Sequence, residues 1–183
     1  MRCLLLRPIA WLAGALVRLP QGLLLALSSF LATLLWLPLA RRRQVAATNL
    51  ALCFPDMPAD ERARLLRANL RSMVMGVFEL LRAWFAPARV LRGGYRIEGL
   101  EALQQTLAQG QGVLLLLGHF PHTELAVRLL GEALGRRMTG VVRRHNSPCI
   151  EAELEHARRR HFQPTLEKKD VRGVLRALQA GEV

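Results

Sequence analysis

From Gly22 to Ala40 the chain reads GLLLALSSFLATLLWLPLA, nineteen residues without a charge. At about 1.5 Å per residue, a helix of that length comes close to the ~30 Å hydrocarbon thickness of a bilayer. No Asp or Glu occurs in residues 1–40, and Arg41, Arg42 and Arg43 close the run as a stop and a cytoplasmic marker. Arg2, Arg7 and Arg18 weaken that asymmetry. A shorter apolar stretch, Pro8–Val17, is separated from the long one by Arg18 and Pro20, so a re-entrant or interfacial first helix fits as well as a continuous one. The apolar region of a cleaved signal is usually shorter and has no Arg cluster after it, and a buried core helix would normally show a polar stripe. The expectation is an N-terminal membrane helix, with residues 1–43 as the anchor and 44–183 as a domain facing the cytoplasm.

Charge narrows the partners. Lys and Arg outnumber Asp and Glu by 26 to 14, a net +12 spread along the chain. Nucleic acid, anionic lipid headgroups and an acidic carrier protein all match that sign. Nucleic acid is disfavoured, because aromatic residues make up only 5% and no recognisable binding motif is present. The three cysteines, Cys3, Cys53 and Cys149, are odd in number, far apart and without a Cys-x-x-Cys pair. They predict neither a disulfide framework nor a zinc site, but reduced thiols.

Beyond the anchor, Pro58, Asp60 and Glu61 mark a helix start. Leu66, Leu70, Val74, Val77, Leu81 and Trp84 then recur at helical spacing, predicting an amphipathic helix to about Phe85. After Gly93-Gly94 the period changes. Tyr95–Ile97 reads as a short strand, Leu100–Ala108 as a helix and Val113–Leu117 as a fully apolar strand. A helix near Thr123–Leu134, a strand near Met138–Val142, a helix near Ile150–His161, a short strand at Thr165–Leu166 and a helix capped by Asp170 follow. The fold class is α/β: a mostly parallel sheet flanked by helices.

The stretch Val113–Glu124 carries the chemistry. A buried strand runs into Gly118, presents His119, turns through Pro121 and starts a helix that bears Glu124. Functional groups collect at such carboxyl ends of parallel strands. On one continuous helix, residues five apart would point away from each other. With His119 in the turn before the helix, its imidazole can fold back towards a first-turn carboxylate, which would fix its tautomer. Spacing alone leaves open that His119 merely closes a turn and Glu124 is a solvated acid. Metal binding by His119, His122 and Glu124 lacks the His-Glu-x-x-His pattern and any further ligand.

His-x4-Glu after an apolar strand resembles the His-x4-Asp/Glu motif of the glycerolipid acyltransferase superfamily. The phrase Gly-His-Phe-x3-Glu-Leu is similar to its lipid A late acyltransferase branch. Arg43 with Asn49–Pro55, Gly140–Arg143 with Asn146 and Pro148, and Lys169–Gly173 with Ala177-Leu178 and Gly181-Glu182 resemble further family segments in the family's order. Val142, where the family often has Tyr, and Arg144, where Pro is common, depart from the pattern.

The resemblance implies transfer of a fatty acyl chain from acyl carrier protein to a hydroxyl or hydroxyacyl group of a glucosamine-based lipid A precursor at the inner membrane. It assigns His119 as general base and Glu124 as its orienting partner, and requires no cofactor or metal. Arg143 would bind a lipid phosphate or the developing oxyanion, and Lys169 and Arg172 would be weaker headgroup contacts. Other acceptors, such as an ornithine lipid or a phospholipid, fit the same motif, as does an inactive membrane protein of this fold. The pattern at Gly181–Val183 reads as the start of another strand, so the domain is expected to be incomplete at its C-terminus.

Overall fold

The computed structural model describes residues 13–91, 93–163 and 165–183. Met1–Leu12, and with them Cys3, Arg2, Arg7 and most of the apolar stretch Pro8–Val17, lie outside the described residues. Two compact units emerge: one from Leu19 to Glu79, the other comprising Leu80–Val183 with residues 13–18.

The first unit is helical. Its α1, Gln21–Leu34, is 14 residues long, and α2, Ala40–Cys53, follows a string of turns. The expected span of Gly22–Ala40 is therefore corrected: among the described residues no helix is long and apolar enough to cross a membrane. Pro38 supplies the physical reason. Its ring cannot sit four residues after a helical carbonyl without a clash, and that carbonyl belongs to Leu34, the last residue of α1. Leu24, Ser28 and Ala32 form the buried face of α1. The rest of the helix is as apolar as its core side, so Leu23, Phe30 and Leu34 are left 51%, 65% and 64% exposed. The long helix α3, Ala59–Phe85, begins in this unit with Asp60 and Glu61 in its first turn, where carboxylates suit the helix dipole. α2 runs through residue 43, where the sequence suggested the anchor would end.

The second unit takes over α3 from Leu80. The helix ends at Phe85, two residues before Pro87, because a residue preceding proline avoids the α conformation. The short α4, Ala88–Leu91, and α5, Leu100–Ala108, follow. α6, Thr123–Leu134, stops at Gly135, whose φ of 63° suits glycine and lets Arg136 N–H reach the carbonyl of Gly131 at 3.0 Å. α7 is Pro148–Arg158, with proline in its first turn. α8, Val171–Gln179, is capped by Asp170, whose carboxylate accepts from Gly173 N–H at 2.8 Å.

Apolar contacts tie α6 and α7 to the end of α3. Val17, Ala86 and Leu91 bury themselves against Phe85, Leu125 and Leu129, and Ala83, Trp84 and Ala157 against Leu80, Leu125 and Leu154. Arg128, only 1% exposed, donates to the last-turn carbonyls of Arg82 at 2.8 Å and Ala83 at 3.1 Å. The Ala83 carbonyl has no helical donor, because Pro87 lacks an N–H, and Arg128 supplies one; the Arg82 carbonyl accepts from Ala86 N–H as well. Burial lowers the pKa of Arg128, and its pairing with Glu132 at 2.9 Å opposes that shift.

The sheet is parallel but small. β1, Val141–Val142, pairs with β2, Leu166–Glu167, in the register Val141 to Leu166, and Met138 forms an isolated parallel bridge to Phe162. The expected strands at Tyr95–Ile97 and Val113–Leu117 do not form ladders. An apolar run becomes a strand only where another backbone pairs with it. Among the described residues Val113–Leu117 makes one such bond, from Val113 N–H to the carbonyl of Glu182 at 2.9 Å. Leu114 and Leu116 are left exposed. Cys53 is a free, exposed thiol, whereas Cys149 is disulfide-bonded, which corrects the expectation of three reduced cysteines.

Candidate active site

Gly118 to Thr123 forms the turn that separates the extended apolar segment from α6. Thr123 organises it: its hydroxyl donates to the carbonyl of Phe120 at 2.7 Å and accepts from Phe120 N–H at 3.2 Å. Phe120 N–H also reaches the carbonyl of Gly118 at 3.0 Å, and the Phe120 ring folds so close over Gly118 that a Cβ there would require the ring to move. Phe120 stacks on His122, with 5.9 Å between ring centroids. His119 sits at the crest of this turn with its side chain exposed.

Glu124 lies in the first turn of α6 and faces the interior of the unit. Its carboxylate accepts from the indole N–H of Trp84 on α3 and from two nitrogens of Arg158, the last residue of α7, with Nε at 3.3 Å. Arg158 also stands 5.8 Å from the Trp84 ring centroid, so one guanidinium meets both a carboxylate and an aromatic face. The Arg158 and Glu124 side chains are 16% and 28% exposed. No hydrogen bond joins His119 to Glu124 among the described residues.

Beside this pair opens a cavity of about 570 Å³. The apolar segment Val113–Leu117 forms one wall, and Val127, Met138, Val141, Phe162 and Val174 contribute others. Glu124 and Arg158 are the charged residues in its lining. A space of this size, mostly apolar with a few polar groups, has the character of a ligand pocket.

Arg143 directly follows β1, and Lys169 comes two residues after β2. Because the strands are parallel and in register, both lie at the same end of the small sheet. Both side chains are exposed, as is Arg172 in the first turn of α8. The loop after β1 is held by His145 N–H, which donates to Glu151 at 2.7 Å. Among the described residues no group of three or more His, Cys, Asp or Glu is placed to hold a metal ion. Sequence reasoning did not identify Arg158, and it read Trp84 only as part of an apolar stripe. Their sole advance signal was the charge of one and the indole N–H of the other, neither tied by spacing to Glu124.

Comparison with known proteins places the chain among acyltransferases of lipid A biosynthesis. The chain is 33% identical over 166 residues to the lipid A biosynthesis palmitoleoyltransferase of Escherichia coli K12, covering 91% of this chain and 54% of that protein. It is 34% identical over 186 residues to the lipid A biosynthesis lauroyltransferase of the same organism, covering 98% and 60%. A lipid A biosynthesis acyltransferase of Haemophilus influenzae is 37% identical over 142 residues, covering 78% and 44%. The chain thus spans little more than half the length of the Escherichia coli relatives. No solved structure matches it. The family model described as bacterial lipid A biosynthesis acyltransferase matches residues 6–183, so the chain belongs to that family.

Proposed function

We propose that this chain carries an acyl-transfer site that moves a fatty acyl group from acyl carrier protein to a hydroxyl or hydroxyacyl group of a glucosamine-based lipid A precursor. The observation that most supports this reading is the apolar cavity with Glu124 and Arg158 in its wall, reached by the segment that leads into His119. In this reading the cavity takes the acyl chain, and the reacting carbonyl lies at its polar side.

His119 accepts the proton of the acceptor hydroxyl as its oxygen attacks the thioester carbonyl. The tetrahedral intermediate collapses with cleavage of the carbon–sulfur bond, and the departing thiolate takes the proton from the imidazolium. Glu124 orients His119. An ionised carboxylate offers about four acceptor sites. Trp84 and the two Arg158 nitrogens occupy three of them, two on Oε2 and one on Oε1. Oε1 therefore retains a site for the imidazole N–H once substrates draw the turn inward, and catalytic hydrogen bonds are commonly loose before substrate binds. Arg143 and Lys169, at one end of the parallel pair, and Arg172 hold phosphate groups of the acceptor. Membrane contact is interfacial, through the exposed apolar side of α1 at the cytoplasmic face of the inner membrane.

The test is acyl transfer from an acyl carrier protein thioester to a glucosamine lipid precursor. His119→Ala is expected to lower the rate by about 10²–10⁴-fold, with His122→Ala much milder. A folded His119→Ala protein that kept its rate would refute the mechanism. Mass spectrometry of membrane lipids after deletion and complementation identifies the acceptor.

A further inference from the structure

The helical unit Leu19–Glu79 contains a second cavity, of about 620 Å³, that the acyl-transfer reading leaves unused. Ser29 and Thr33 line it from α1, Trp36 and Leu37 from the turn that follows, and Arg67 and Arg71 from α3. Ser29 and Thr33 are one helical turn apart, as are Arg67 and Arg71, so each pair presents side by side into the groove. The Trp36 ring takes two cations: the Arg43 guanidinium lies 4.4 Å from its centroid and that of Arg67 lies 5.9 Å away. Arg43 also donates to the Trp36 carbonyl, which fixes the indole and the groove floor together.

Arg43 and Arg67 therefore meet at the Trp36 ring, and Arg71 joins Arg67 in lining the cavity, whose wall holds no carboxylate. Among the described residues none of Arg43, Arg67 and Arg71 forms an ion pair, while Asp60 of the same unit is paired with Arg64. Like charges one turn apart repel, and the arrangement gains most from an anion set between them. The surface beside the groove points to the kind of anion. Phe30 and Leu34, which directly follow Ser29 and Thr33, turn to the adjoining face of α1 and are 65% and 64% exposed, and Leu37 at the groove itself is 77% exposed. Charge and apolar surface thus adjoin in the manner suited to an amphiphile.

We infer that this groove binds the phosphate of a membrane phospholipid. Arg67 and Arg71 clamp the phosphate oxygens, the Ser29 hydroxyl adds a donor, and the acyl chains run along Phe30, Leu34 and Leu37. The inference shares with the acyl-transfer reading only the exposed apolar side of α1 and uses none of its catalytic or acceptor-binding residues.

Binding of the chain to phosphatidylcholine vesicles with and without phosphatidylglycerol tests it. The variants are Arg67→Gln/Arg71→Gln and, as a control with the same loss of charge, Arg41→Gln/Arg42→Gln, whose arginines are exposed and outside the groove. All four positions are exposed, and unchanged melting curves will show that each variant folds. The groove variant is expected to lose about tenfold more affinity for the anionic vesicles than the control. Monomeric dihexanoyl phosphatidylglycerol should change Trp36 fluorescence saturably, as judged against Trp36→Phe, and compete with the vesicles. Inorganic phosphate at the same concentration should not. Equal losses in the two double variants would reduce the groove to diffuse electrostatics and overturn the inference. Competition by inorganic phosphate as strong as that of the short-chain lipid would overturn the lipid assignment.

Discussion

Two adjacent arginines at the end of α7 separate a buried interaction from a surface one. Arg158 is 16% exposed and serves Glu124 with a two-pronged contact, whereas Arg159 pairs with Glu155 at 63% and 39% exposure. Loss of Arg158 would strand a half-buried carboxylate beside Trp84, so Arg158→Ala should cost about 1–3 kcal/mol of stability and lower acyl transfer. Arg159→Ala should cost less than about 1 kcal/mol, because water screens exposed pairs and replaces them readily. Denaturant melts of both variants check this, and equal costs would show that Glu124 does not depend on Arg158. His119 and Glu124 stood out in sequence as candidates because an apolar run, a glycine and a proline frame them and because Gly-His-Phe-x3-Glu-Leu resembles a family motif. Arg158 and Trp84 did not. They stand 34 and 40 residues from Glu124, and only the packing of α6 and α7 on the end of α3 brings them to it.

Helices were far more legible than strands, because a helix satisfies its own backbone while a strand depends on a neighbour. Leu100–Ala108 and Thr123–Leu134 form helices over the expected residues, and Asp170 caps α8 as its sequence position suggested. Val113–Leu117 has the apolar composition of a buried strand but the pairing of a loop. What sequence could not reveal is how tightly elements approach. At Gly112 a Cβ would stand 2.6 Å from the Cα of Leu178 at the end of α8, and closer still to its carbonyl oxygen. Backbone cannot yield there as a side-chain tip would. Gly112→Ala should therefore destabilise the protein by about 1–3 kcal/mol, the usual range for overpacking. Gly22, in the first turn of α1, has nothing within 4 Å of the same position, so Gly22→Ala should stabilise by up to about 1 kcal/mol. Thermal melts should move in opposite directions, and a neutral Gly112→Ala would show that α8 can shift away from the segment before the apolar run.

For the molecule as a whole, summed hydropathy proved less informative than the position of one proline. The residues between Gly22 and Ala40 are apolar enough to span, yet Pro38 ends α1 at Leu34 and divides the run. Burial of charge has a comparable reach, because Arg128 and its surroundings make stability depend on pH. His161 lies half-buried near Arg128, Glu132, Arg160 and the Trp84 backbone. Its pKa is lowered from 6.5, chiefly by burial and next by repulsion from Arg128; Arg160 adds to the shift, while Glu132 and the Trp84 backbone oppose it. A histidine whose folded pKa is depressed binds its proton more readily when the chain is unfolded. Its neutral form thus supports the fold fully above 6.5, and that support is lost as pH falls below 6.5 towards the folded pKa. The loss is at most about 1.4 kcal/mol per pH unit for one group. Stability of the wild type in denaturant unfolding should weaken as pH falls below 6.5, more steeply than that of His161→Gln, which keeps a polar side chain but cannot titrate. Parallel slopes for the two proteins would assign the acid sensitivity to other groups and remove His161 from the account.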